Sequence, residues 1–274
     1  MSLIGRFLLL FVSLAFAQGR PVLAQSASTA RPLRQAHAHN DYRHQHPLDD
    51  ALDHGFSSVE ADVYLVDGEL LVAHTRSELR PDRTLTRLYL EPLRKKAQAT
   101  GHLWAEAASL TLLVDVKDDA ERTYQALAKL LAEYDDIVSA VRDGRVQTKA
   151  VTVVVSGNRA RESIAAETVR HVGIDGRLSD LDSDLPSHLI PLISDNWLLH
   201  FRWRGEGPFP DDERARLRDI VSRAHRHGRR VRFWATPEST SLWRELLAAE
   251  VDLINTDDLP GLERFLRENK HERP

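Results

Sequence analysis

From Leu33 onward, short apolar runs alternate with longer amphipathic stretches, and this alternation constrains the fold more than any other feature of the chain. The runs expected as strands are 34–39, 57–65, 70–74, 111–117, 150–156, 190–194, 230–235 and 251–255. Helical periodicity falls between them at 47–54, 88–101, 120–134, 159–171, 211–227, 239–250 and 259–269. Strands separated by helices of this length build βαβ units and a parallel sheet. End signals agree: Asp211, Asp212 and Glu213 follow Pro210 at a helix start, and Gly228 follows His227 as a stop. No Pro/Gly-rich break or low-complexity linker follows residue 32. The expectation is a single α/β domain over 33–274, a TIM (β/α)8-type barrel, with an open doubly wound sheet as second choice.

The start of the chain reads differently. Arg6 precedes an apolar run over 7–17, too short for a bilayer span of about 20 residues. Small residues follow at Ala15-Phe16-Ala17 and at Val22-Leu23-Ala24. This is the pattern of a signal peptide over 1–24, followed by a polar segment over 25–32. The expected location is therefore outside the cytoplasm, periplasmic or secreted.

Composition narrows the chemistry. The 274 residues include no cysteine, which excludes disulfide scaffolds, thiolate metal sites and thiol nucleophiles. Lys and Arg number 37 against 41 Asp and Glu, so a nucleic-acid partner is not expected. What remains is oxygen and imidazole chemistry, and oxygen ligands favour hard cations such as Mg²⁺ or Ca²⁺.

In a parallel barrel, functional groups gather at the C-terminal ends of the strands. Five ends carry ionisable groups here. His37 and His39 alternate on the first strand and face one side, where they can share a metal or move protons. Glu60 and Asp62 also share a face, from a strand otherwise built of Val59, Ala61 and Val63. Two carboxylates in one partly buried place call for a cation or a proton. The Asp67-Gly68 turn brings the chain back to His74. Asp115 offers a third carboxylate, with Lys117 two residues on to hold an anion. Arg232 and Trp234 alternate on a late strand, ahead of Asn255-Thr256-Asp257. Three carboxylates, two or three histidines and a Lys–Arg pair suit metal-assisted chemistry at a phosphate. Neither a phosphate-binding glycine loop nor a Gly-x-Ser-x-Gly elbow is present.

The ordered set His39-Asn40, Glu60-x-Asp62, His74, Asp115-x-Lys117, Trp234 and Asn255-Thr256-Asp257 resembles the superfamily of phospholipase-C-like phosphodiesterases. That superfamily includes glycerophosphodiester phosphodiesterases, phosphatidylinositol-specific phospholipases C and spider-venom sphingomyelinase D. Within it, His-Asn-Asp-Tyr at 39–42, Val-Glu-Ala-Asp-Val at 59–63, the stretch 73–84 and Arg-Phe-Trp-Ala-Thr-Pro at 232–237 look like the altered-inheritance-of-mitochondria protein 6 family. The similarity runs from Gln35 to Leu266. It implies a TIM barrel, Mg²⁺ or Ca²⁺ on Glu60, Asp62 and Asp115, and catalysis by His74 with either His39 or His37. Lys117 matches the family's phosphate lysine and Trp234 its site aromatic. One departure stands out: glycerophosphodiesterases follow the first histidine with Arg-Gly, where this chain has Asn40-Asp41 after His39. Arg76 or Arg232 is then expected to supply the missing phosphate contact.

The expected function is an exported, metal-dependent phosphoric diester hydrolase acting on a glycerophosphodiester, a phospholipid or a related small or lipid phosphodiester, with peripheral membrane contact. Two other readings compete. One is a zinc hydrolase of amidohydrolase type, with His37-x-His39 as ligands and Asp257 as the final acid. The other is a barrel that binds a phosphate or lipid headgroup without turnover.

Overall fold

The computed structural model describes residues 31–98, 101–104 and 108–269. The leader expected over 1–24 and most of the segment 25–32 lie outside the described residues. Among the described residues, twelve strands and eight α-helices follow one another. They are β1 Leu33–Ala38, α1 Asp49–Asp53, β2 Phe56–Val66, β3 Glu69–Val72, α2 Glu91–Ala97, β4 Leu110–Val116 and α3 Ala120–Ala132. Then come β5 Ala140–Arg142, β6 Arg145–Gln147, β7 Val151–Gly157, α4 Arg161–Ala166, β8 Val169–Arg170 and β9 Val172–Gly176. The chain closes with β10 Leu192–Asn196, α5 Trp197–His200, α6 Asp211–Arg226, β11 Arg230–Trp234, α7 Thr240–Ala248, β12 Ile254–Thr256 and α8 Leu259–Glu268.

Eight of the strands form a ring in the order β11-β10-β9-β7-β4-β2-β1-β12. All of these neighbours pair in parallel. A parallel bridge from Arg232 to Leu253 joins the two ends. The ring is a TIM barrel, and the open doubly wound alternative falls away. β3 lies outside it as the antiparallel return of β2, turned by Asp67 and Gly68, both at positive φ. β5, β6 and β8 make a small separate antiparallel sheet.

The alternation along each barrel strand decides which residues face the helices. Val59, Ala61 and Val63 of β2 and Leu112, Val114 and Val116 of β4 are buried in the main core with helix residues such as Leu127 and Leu131. Full burial of such a side chain contributes about 1.5–3 kcal/mol. The opposite parity points into the barrel. There Leu113, Val154, Leu192 and Leu253 form their own small cluster, an apolar plug partway along the axis. Above the plug, the same faces carry Glu60, Asp62, Asp115 and Ser156, in register Asp62 beside Asp115 beside Ser156.

Some expected boundaries move. The run 159–171 is not one helix: only Arg161–Ala166 is helical, and the β-branched Val169 with Arg170 pairs with β5. β9 had no counterpart among the expected strands, because its two glycines interrupt the apolar pattern. Those glycines serve packing: a Cβ on Gly173 would lie 2.5 Å from Pro191 Cγ. The strand expected over 70–74 stops at Val72, leaving His74 in the following loop. The helix expected over 88–101 is regular only across Glu91–Ala97, and residues 99–100 lie outside the described residues. Among the described residues, no helix is long and apolar enough to cross a membrane.

Candidate active site

The C-terminal ends of the strands surround a cavity of about 450 Å³. Its walls include His39, Asn40, Glu60, His74, Asp115, Lys117, Arg177, Arg232 and Trp234. Most residues anticipated for the site are thus brought together. A cleft of about 510 Å³ at the opposite end of β4 and β7 is slightly larger, but Asp136 is its only carboxylate among described residues.

Period-2 alternation stacks the two first-strand histidines at different depths. His37 is fully buried beneath the cavity floor. Its Nδ1 lies 2.7 Å from Ser58 Oγ, and its Nε2 lies 3.1 Å from Glu60 Oε2 and 2.7 Å from Arg232 Nη1. Burial, reinforced by the Arg232 charge, lowers its pKa to about 4, so the ring stays neutral. An arginine nitrogen occupies the position a metal would need at His37 Nε2, which disfavours a His37–His39 zinc pair. His39 sits one layer higher, where its Nδ1 donates to Asp257 Oδ1 at 2.9 Å. Burial works against its charged form, but the bond to Asp257 and the charges of Glu60 and Asp257 outweigh that and raise its pKa.

Asp62 is the hub of the upper layer. It is fully buried, and its Oδ2 takes Tyr42 Oη at 2.8 Å, His74 Nδ1 at 3.1 Å and Lys117 Nζ at 3.1 Å. Lys117 Nζ also lies 3.2 Å from Asp115 Oδ1. Asp62 Oδ1 is buried with no hydrogen-bond partner among the described residues. Burial raises the pKa of Asp62 against the pull of Lys117, and raises that of Asp115 to about 6. Glu60 behaves in the opposite way. Burial opposes its charge, yet Arg232 Nη1 at 2.7 Å holds its carboxyl far below the usual range.

One ligand oxygen each from Glu60, Asp62 and Asp115 lies within 4.8 Å of the others, the one group of this kind among the described residues. These residues fit a divalent cation. The donors are hard oxygens, and an orphaned buried oxygen faces the group. Formal charge agrees: Glu60 is spent on Arg232, so Asp62 and Asp115 against Lys117 leave one negative charge. A divalent cation turns this into one positive charge, the complement of a phosphodiester anion.

Three residues that sequence reasoning passed over complete the arrangement. Tyr42 bridges Asn40 Oδ1, at 2.7 Å, to Asp62, and Asn40 adopts the left-handed conformation asparagine tolerates, φ 46°. Gly157 backs Asp115, because a Cβ there would lie 2.2 Å from Asp115 Oδ1. Arg177 enters from the end of the unanticipated β9. Tyr42 had a signal, its place in the His-Asn-Asp-Tyr motif. The other two had none beyond glycine in an apolar run and an arginine in an apparent loop.

Arg76 lies outside the cavity wall. Its guanidinium turns outward, two-thirds exposed, to pair with Asp118 at 2.7 Å, and does not line the cavity. Arg232 does line it, but Nη1 is taken by Glu60, His37 and Asn255.

A family model described as AIM6-like phosphodiesterase domain matches residues 28–175, more than half of the chain. The chain belongs to this family. A model of the glycerophosphoryl diester phosphodiesterase family matches residues 230–260, the strand that carries Arg232 and Trp234. Altered inheritance of mitochondria protein 6 of Eremothecium gossypii is 31% identical, with 90% of this chain and 73% of that protein aligned. The homolog from Arthroderma benhamiae is 29% identical over 81% of each. Among solved structures, a glycerophosphodiester phosphodiesterase from Parabacteroides distasonis superposes with a TM-score of 0.53 at 15% identity, covering 88% of this chain and 100% of that one. At that identity the likeness speaks for the barrel alone.

Proposed function

We propose that this phosphodiesterase-like barrel is a metal-dependent phosphoric diester hydrolase acting on a glycerophosphodiester, a phospholipid or a related diester. One observation carries the reading: the carboxylate triad, with its orphaned Asp62 oxygen, lies between two histidines whose Nδ1 atoms are tethered to carboxylates.

Tethering Nδ1 to Asp257 or Asp62 fixes the tautomer and leaves Nε2 as the basic nitrogen of each ring, which in His39 accepts from Asn40 Nδ2 at 3.2 Å until substrate displaces that contact. One ring takes the proton of the attacking hydroxyl, from water or from a neighbouring substrate hydroxyl, and the other protonates the departing alkoxide. Attack by a substrate hydroxyl would give a cyclic phosphate first. Glu60, Asp62 and Asp115 would hold Mg²⁺ or Ca²⁺, which when bound neutralises charge on the phosphoryl oxygens. Lys117, in the cavity wall with Trp234 and Asn40, would hold the phosphoryl group, and the other two would border it. His37 acts from below, as a neutral spacer that keeps Glu60 and Arg232 aligned. The apolar run after Arg6 supports export. Leu198 and Leu199, exposed on α5 just past the end of β10, support contact with lipid at the cavity mouth.

Purified protein should cleave glycerophosphodiesters or phospholipids with Mg²⁺ or Ca²⁺ and lose activity in a chelator and in Glu60→Ala. Absence of any diester cleavage, or full activity in Glu60→Ala, overturns the reading. Metal-dependent binding of a headgroup without product would identify a silent barrel, and tight zinc on the native protein would favour the amidohydrolase alternative.

A further inference from the structure

The β9 side of the cavity gathers arginines. Arg177 lines the cavity, and behind it stands Arg159, just before α4. Both guanidinium groups converge on one carbonyl: Arg159 Nη1 donates to Asp175 O at 2.5 Å, and Arg177 Nη1 contacts the same oxygen at 3.3 Å. Two like charges converging on one carbonyl repel each other unless anions relieve them. The nearby anions are largely engaged, although Asp175 Oδ1 is buried without a hydrogen-bond partner among the described residues. Asp175 Oδ2 accepts from Ser156 Oγ at 2.7 Å, Arg177 Nη1 at 3.0 Å and Ser194 Oγ at 2.5 Å. Asp180 is held bidentately by Arg161 at 2.8 and 3.1 Å. Asp195 is turned to the backbone amides of Leu178 and Asn196 and lies beside His200. Of these three carboxylates only Asp175 pairs with the Arg177 guanidinium, through Nη1. Arg177 Nη2 and Nε make no hydrogen bond among the described residues, on a side chain a quarter exposed to the cavity. Burial and the charges of Arg177 and Arg161 lower the pKa of Arg159, while Asp175 and Asp180 pull the other way.

We propose that Arg177, backed by Arg159 and flanked by Asn158, forms a second anion subsite that receives a carboxylate or phosphomonoester on the alcohol portion of the substrate. This rests on the phosphodiesterase reading and names its substrate class: diesters bearing a second negative charge. Guanidinium is suited to either group because its fork matches two oxygens at once.

The test compares two matched pairs of diesters. Glycerophosphoserine and glycerophosphoethanolamine differ by one carboxylate; glycerophosphoinositol 4-phosphate and glycerophosphoinositol differ by one phosphomonoester. The wild type should show a KM about tenfold lower for the charged member of at least one pair. The pair that responds tells carboxylate from phosphate. Arg177→Gln and Arg159→Gln should each erode the preference through KM, with kcat little changed, and Arg177→Lys should restore part of it. Because Arg177 also contacts buried Asp175, thermal melts confirm folding, and Arg159→Gln gives a second route if Arg177→Gln unfolds. Equal KM values within both pairs would overturn the proposal, as would a preference that survives both substitutions. Calorimetric binding of the four compounds in EDTA separates the two readings. A charged-member preference lost in the variants supports the subsite even where nothing is cleaved, which would overturn hydrolysis alone. Cleavage with no such preference would overturn the subsite alone.

Discussion

Replacing Asp115 by asparagine should stabilise the metal-free protein while abolishing turnover, and the size of the gain follows from the site. Burial drives the Asp115 pKa to about 6; Lys117 offsets part of this, and the charges of Glu60 and Asp62 add to it. A folded-state pKa raised above the ordinary value of 3.8 means stability that is complete below about pH 3.8 and lost as pH rises through 6. A shift of two pH units corresponds to about 3 kcal/mol at neutral pH. Asparagine keeps the shape and does not ionise. Lys117 keeps its contact with Asp62 at 3.1 Å. In EDTA, the melting temperature of Asp115→Asn should match wild type near pH 4 and exceed it by roughly 6–10 °C at pH 7.5. Added Mg²⁺ or Ca²⁺ should reverse the order. Wild type would gain about 2.7 kcal/mol at a hundredfold excess over Kd, while the variant, short of one ligand, gains less. The reasoning is refuted if Asp115→Asn is less stable than wild type at pH 7.5 in EDTA, or if both respond equally to the cation.

His37 provides the opposite pH signature. With its pKa lowered to about 4, it contributes stability that is full above pH 6.5 and lost as pH falls toward 4, about 3 kcal/mol in all. Urea denaturation of His37→Gln across that window should lose this slope, and an unchanged slope would refute the assignment. His39→Ala and His74→Ala should each lower kcat by about 10²–10⁴ with unchanged circular dichroism; activity near wild type in either removes that residue from proton transfer. Asp257→Asn should lower the His39 pKa, so one limb of the kcat–pH profile moves to lower pH, and a stationary profile would disconnect His39 from it. Arg229 is fully buried and donates to the carbonyls of Asp180, Leu181, Ser183 and Leu185, the last two at 2.6 and 2.7 Å. Arg229→Met should cost on the order of 3–5 kcal/mol by chemical denaturation, since it leaves buried carbonyls unpaired.

The barrel was legible because seven of its eight strands carry apolar residues in runs or in strict alternation between helical stretches, and β9 was not because Gly173 and Gly176 break its pattern. Those glycines answer to Pro191, Ile190 and Ile193, neighbours known only once the chain is folded. In the site, alternation on β2 and β4 placed Glu60, Asp62 and Asp115 on one side, and the sheet register then set Asp62 beside Asp115. Depth was not legible in the same way. His37 and His39 share a face in the sequence, yet one layer of strand rise puts one beneath the floor and the other in the wall. The placement of the two candidate arginines also depends on three dimensions. Arg76 lies close in sequence to His74 but pairs with Asp118, whereas Arg232, more than 150 residues from His74, reaches the cavity floor.

The pairing that fits a cation to one wall extends to a substrate across the whole cavity. On the β2–β4 wall, one net negative charge becomes one positive charge when a divalent cation binds. On the β9 wall, Arg161 is paired with Asp180, while Arg177 bonds through Nη1 alone. A diester with a neutral alcohol satisfies the first wall and leaves the remaining Arg177 donors without an acceptor in a partly enclosed space, where an unpaired polar group is costly. A diester carrying a second anion satisfies both. Substitutions on the β9 wall should therefore change which diester is preferred, while substitutions on the β2–β4 wall change whether any diester is cut.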